Sequence, residues 1–255
     1  MKKKIFYLSI IFSIFFIIFL GAKSSRFTGI NYTIIEEKIS NFEKILDFYE
    51  RDNNYEELVQ RINKDTISKK DTIINISKWV YFNINRISDK DQIIDSHPWT
   101  IIERKLGAKD QFSDILSVLL VYNNTSSFFI SKLNKIVNPL TFFKHNKDWS
   151  LIDPYYGIYF LNKKNEFCNL KNLKNKNCFF YHLKYGEIEE NQLAEIFYDK
   201  NFVSFKDLNN YYNFLFEDMP KSKDIANTNI YERGGRSYIQ KPFHRLIYQM
   251  QNLIN

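Results

Sequence analysis

Cysteine is nearly absent from this chain. Its 255 residues include two, Cys168 and Cys178. Their separation is not the Cys-x-x-Cys spacing of zinc or thiol-redox sites, so no metal or other cofactor is expected. In an oxidising compartment they could close a small loop and add a few kcal/mol of constraint. Two separate buried thiols would fit the spacing equally well. A clustered basic stripe is also missing. The net charge is +7, but Lys2, Lys3 and Lys4 supply three of those charges, leaving +4 for everything after them. The other lysines are scattered among Asp, Glu and Asn rather than gathered on one face, which excludes a nucleic-acid footprint. No internal repeat is present. Glycine and proline are few, at 7 and 5.

Aromatic and aliphatic residues are plentiful. The chain has 24 Phe and 17 Tyr and is 44% apolar, enough to bury one substantial core. Asn, Lys and Ile are abundant alongside them, a bias of the kind AT-rich genomes impose. At the amino terminus, Lys2-Lys3-Lys4 precedes an uncharged apolar run from Ile5 to Ala22, followed by Lys23 and Arg26. At about 1.5 Å per residue, such a run reaches roughly 27 Å, the thickness of a bilayer core. A retained anchor through residues 5–22 is therefore expected, with the lysine cluster cytoplasmic and residues 27–255 outside the membrane. Ala22-Lys23-Ser24 offers the alternative of signal cleavage and secretion.

Further along, Tyr32 to Arg61 reads as one or two amphipathic helices, since Ile35, Ile39, Phe42, Ile45, Leu46 and Tyr49 recur at helical spacing. Asp71 to Asn85 predicts a second helix with an Ile73, Ile76, Ser77, Val80 and Ile84 stripe, Asp71 being placed to cap it. Asp95 to Trp99 is a turn, and Thr100 to Lys105 a short helix ending at Gly107. The apolar run Ile115 to Leu120 predicts a buried helix. Strand patterns follow at Phe128 to Ile130, Leu140 to Phe143, Trp149 to Ile152 and Ile158 to Phe160, with His145 to Asp148 a polar turn. Helices first and an antiparallel sheet afterwards is the α+β order. Residues 161–185 read as loop, and Asn191 to Leu215 as helix. Near the end, Gly234-Gly235 stands amid Arg233, Arg236 and Lys241.

Gly107-Ala108-Lys109-Asp110-Gln111-Phe112 opens the buried helix, and Trp149-Ser150-Leu151-Ile152-Asp153-Pro154 closes a hairpin about thirty residues later. Together these stretches resemble the transglutaminase-like superfamily, which has the papain-like cysteine-enzyme fold. The likeness covers residues 71–160 and implies a buried helix packed on a small antiparallel sheet. It divides the chain into an anchor or signal segment (1–26), a helical lead-in (27–70), the core (71–160) and a partly helical extension (161–255). In active relatives a Cys at the third residue of the glycine turn attacks an amide, with a His and an Asp behind it. Here Lys109 occupies that position. The expected His position, near Asn138 or Pro139, holds no His, and Asp153 alone matches. The resemblance thus implies a degenerate member.

These residues define the candidate site. Asp110, Asp153 and His97 are the candidate acid/base groups. Lys109, Gln111, Arg233 and Arg236 are the candidate ligand contacts, the two arginines because a guanidinium fork beside glycine N–H groups suits anions. Three functional readings follow. The first is an anchored extracytoplasmic pseudoenzyme binding a cell-envelope ligand, a surface polysaccharide or peptide, as the resemblance to proteins of bacterial surface-polysaccharide regions suggests. The second is an active enzyme with a rebuilt acid/base site for a glycan or amide. The third is an envelope scaffold.

Overall fold

The computed structural model describes residues 2–30, 33–87, 97–130, 139–175 and 177–189. They fall into two compact units, one comprising Met1–Asn54 and the other beginning at Tyr55.

The first unit starts with helix α1 (Lys2–Gly21), in which the stretch Lys4–Gly21 has a mean hydropathy of 2.3 and no buried residue. It is long and apolar enough to cross a membrane. Strands β1 (Lys23–Ile30) and β2 (Thr33–Ser40) form an antiparallel hairpin, with Lys23 opposite Ser40. Helix α2 (Asn41–Ile62) follows, with its residues up to Asn54 in this unit. The expectation of helix from Tyr32 is therefore corrected for Thr33–Ser40. Ile35 and Ile39 do have helical spacing, but a segment rich in β-branched residues pairs readily with a neighbouring strand. The boundary at Ser40 has a local cause. The Ser40 N–H and Oγ both donate to Glu43 Oε2, and the Glu43 N–H donates back to Ser40 Oγ. That capping box starts α2.

The second unit contains α3 (Lys69–Asn83), α4 (Pro98–Arg104), α5 (Lys109–Tyr122) and α6 (Leu170–Lys174). Ser68, not Asp71, is the N-cap of α3. Its Oγ accepts the Asp71 N–H and donates to Asp71 Oδ2. Two short parallel strands, β3 (Asn85–Arg86) and β4 (Leu106–Gly107), tie the end of α3 to the start of α5. The remaining strands are β5 (Ser127–Ile130), β6 (Leu140–His145), β7 (Asp148–Asp153), β8 (Ile158–Leu161), β9 (Phe179–His182) and β10 (Gly186–Ile188). They form one antiparallel meander, each strand beside its neighbour in sequence. Helix α5 packs on β5 and β6, and against α3 and α4.

The described residues are thus α+β, with helices leading into the sheet. Every residue of α5 from Gln111 to Leu120 except Asp114 is buried. Trp149 packs edge-on against Phe128, and Trp99 edge-on against Tyr55, so both serve the core. The loop expected over residues 161–185 is corrected too: β9 adds to the sheet there, after α6. Cys168 and Cys178 are joined by a disulfide across that segment, which settles the choice left open by their spacing. The helix expected over Asn191 to Leu215 lies outside the described residues.

Candidate functional site

The site forms where β3, the amino end of α5 and the carboxyl end of β7 meet. Gly107 is required there by space. A Cβ on it would come within 3.1 Å of Ile84 Cγ2 and 3.3 Å of Ile101 Cγ2. A larger residue would require these two isoleucine side chains to give by a few tenths of an ångström. Lys109 is then the first residue of α5, half-buried, with Nζ 5.8 Å from the centre of the Tyr155 ring.

Asp153 ends β7 and is completely buried. Its Oδ1 accepts the N–H groups of Tyr155 and Tyr156, each at 3.0 Å, and these bonds turn the chain toward β8. Its Oδ2 has no hydrogen-bond partner among the described residues. Burial raises the pKa of this carboxyl from 3.8 to about 7, while the two backbone donors and the charges of Arg86 and Lys109 act in the opposite direction. Near neutrality Asp153 is therefore poised between its charged and neutral forms, and its open oxygen can accept or donate accordingly.

Arg86 is the site residue that sequence reading missed. Its Nε and Nη2 donate to the Tyr155 carbonyl. Its guanidinium lies 4.8 Å from the ring centre of Tyr81, 5.0 Å from Tyr155 and 5.5 Å from Phe112. Stacking of this kind helps hold a guanidinium in place. An arginine just past an amphipathic helix reads in sequence as an exposed C-terminal cation. Only the β3–β4 pairing turns it inward.

Beside it, His182 is buried, and its Nδ1 accepts the N–H groups of Lys184 and Tyr185. That assigns the proton to Nε2, which lies 3.4 Å from Tyr81 Oη. Gly157 makes room for this contact. Its φ is +74°, and a Cβ there would stand 2.7 Å from the Tyr81 ring.

The other candidates have different surroundings. Asp110 is exposed, and its Oδ1 accepts the Gln111 N–H. Gln111 is buried, and its Oε1 accepts from the Ala108 N–H at 3.0 Å and from Arg104 Nη2 at 3.2 Å. His97 caps α4 by accepting the Trp99 N–H on Nδ1. These three thus have local, helix-starting bonds, whereas Lys109 and Asp153 are brought together with Arg86. Arg233 and Arg236 lie outside the described residues. At the other end of the site, buried Pro139 and Leu140 occupy the start of β6, and the Pro139 carbonyl accepts from Ser113 Oγ. No group of three or more His, Cys, Asp or Glu side chains able to hold a metal occurs among the described residues.

Comparison with known proteins yields structural likeness only. No family profile and no curated protein matches the sequence. Two solved structures are similar. One is a candidate cysteine protease from Cytophaga hutchinsonii, at 14% identity and a TM-score of 0.35, matching 40% of this chain and 37% of that one. The other is a transglutaminase, at 12% identity and a TM-score of 0.33, matching 51% of this chain and 43% of that one. The chain thus spans less than half the length of either.

Proposed function

We propose that this chain is a membrane-anchored, extracytoplasmic protein with a transglutaminase-like core and no thiol chemistry. In this reading it binds an anionic cell-envelope ligand, a surface polysaccharide or a peptide, at the amino end of α5. One observation carries the reading. Two cations, Arg86 and half-buried Lys109, stand close enough to act on the buried Asp153 carboxyl, and Lys109 holds the position that the resemblance gives to the nucleophile. Cations at a helix amino terminus, with its free N–H groups, suit a carboxylate or phosphate. The disulfide adds support: it consumes both cysteines and belongs to an oxidising compartment.

The test is binding by the full chain in detergent, with acidic envelope polysaccharide and acidic peptide as probes. Lys109→Ala should weaken binding about tenfold or more, the scale of a lost charged hydrogen bond, with the unfolding midpoint unchanged. Binding that does not change would favour the scaffold.

A second reading, an enzyme with a rebuilt site, is favoured by the raised pKa of Asp153, a value suited to general acid/base work on a glycan or amide. The partner group would be Asp110, His97 or Lys109. Turnover that persists after alkylation but disappears in Asp153→Asn would select it.

A further inference from the structure

Helix α2 is built inside out over its first two turns. Phe42, Ile45, Leu46 and Tyr49 are 51%, 50%, 43% and 57% exposed. At 3.6 residues per turn they share an arc of about 100°. The opposite arc carries Lys44, Asp47 and Arg51, and this charged face is already occupied. Arg26 of β1 bonds Asp47 at 2.9 Å, Lys44 bonds Ser24, and Arg51 lies 4.0 Å from Asp47. The hairpin thus covers the polar side of α2 and leaves the apolar side open.

The position of this face bears on what covers it. The hairpin brings the chain back to the end of α1. There the Asn41 N–H bonds the Ala22 carbonyl at 2.9 Å, and Asn41 Nδ2 bonds the Phe19 carbonyl at 2.8 Å. The first turn of α2 is therefore fastened to the last turn of the apolar helix. Where α1 leaves a bilayer, the start of the open stripe therefore lies near headgroup level. A second copy of the chain fits less well. The stripe ends after two turns at Asp52 and Asn53, and a stable protein interface needs about 800 Å² from each partner.

We propose that the first half of α2 lies in the headgroup layer of the membrane that α1 spans. Lipid then covers Phe42, Ile45, Leu46 and Tyr49, while the β1–β2 hairpin shields the charged face from above. This rests on α1 being a retained span. The arrangement is that of an interfacial amphipathic helix, buried about 5–10 Å into the headgroup and acyl boundary. It would hold the hairpin against the membrane surface rather than on a free stalk.

The experiment uses the full chain in phosphatidylethanolamine/phosphatidylglycerol vesicles. Because the native cysteines are bonded to each other, Ile45→Cys or Glu50→Cys can be labelled alone with a polarity-sensitive dye. Lipid carrying a shallow nitroxide should remove most emission from the label at position 45 and little at 50. Equal, weak quenching at both positions would overturn the lipid contact. So would efficient disulfide dimerisation of Ile45→Cys, which would place a second copy on the stripe. Release of the chain by alkaline carbonate, or a mature mass lacking residues 1–22, would instead overturn the span on which the proposal stands.

Discussion

Helices α2 and α5 have similar apolar periodicity and opposite surroundings. Helix α5 is enclosed nearly all round by β5, β6, α3 and α4. The first half of α2 turns its charges to a hairpin and its apolar stripe outward. Periodicity therefore reports that a helix has an apolar face, and says nothing about what covers it.

The largest test of this contrast is core truncation. Leu116→Ala, at a fully buried position of α5, should cost about 4 kcal/mol, while Leu46→Ala should change unfolding in detergent by less than about 0.5 kcal/mol. Denaturant unfolding of both variants measures the difference, and similar losses would show that α2 has a protein partner.

The polar end of α5 is probed by pH. A buried carboxyl whose folded pKa is raised binds more protons in the folded than in the unfolded state. Its stabilising contribution is complete below about pH 4 and is lost as pH rises to about 7. The loss is about 4 kcal/mol at most, by the conversion of 1.36 kcal/mol per unit. Comparing wild type with Asp153→Asn across this window isolates the effect. Identical pH profiles would mean that the Asp153 charge is fully compensated by its neighbours.

The disulfide should contribute about 3 kcal/mol by constraining the unfolded chain. Replacing Cys168 and Cys178 together by alanine should lower the unfolding midpoint and leave the surroundings of Lys109 and Asp153 unchanged. A small gain is expected in the β6–β7 turn, where Asn146 and Lys147 have φ of 48° and 73°. Glycine fits the second position better, so Lys147→Gly should stabilise by about 0.5 kcal/mol. Destabilisation would mean that the lysine side chain has a role in the turn.

Much of the core was legible because its signals are local. Strands β5 to β8 alternate with turn residues, and α5 is an apolar run bounded by a glycine. The start of α2 was also written locally, in Ser40-Asn41-Phe42-Glu43, and was obscured by the helical spacing of Ile35 and Ile39. Asn and Lys-rich composition concealed β9 and α6. Within the site, Lys109 and Asp153 could be placed from their motifs, but Arg86 could not, because its inward turn depends on pairing with Leu106 and Gly107, twenty residues away.

Local sequence carries the order of the longer helices and strands of the core, an apolar amino-terminal helix of membrane-spanning length, and the lysine at the head of the buried helix. Each follows from residues close together in the chain. Packing between distant segments brings the two cysteines together, stacks Arg86 among three aromatic rings beside Asp153, and leaves the apolar face of the first half of α2 open. Those outcomes depend on which distant surfaces meet, and burial, bond partners and charge at a residue are fixed by the neighbours that packing supplies.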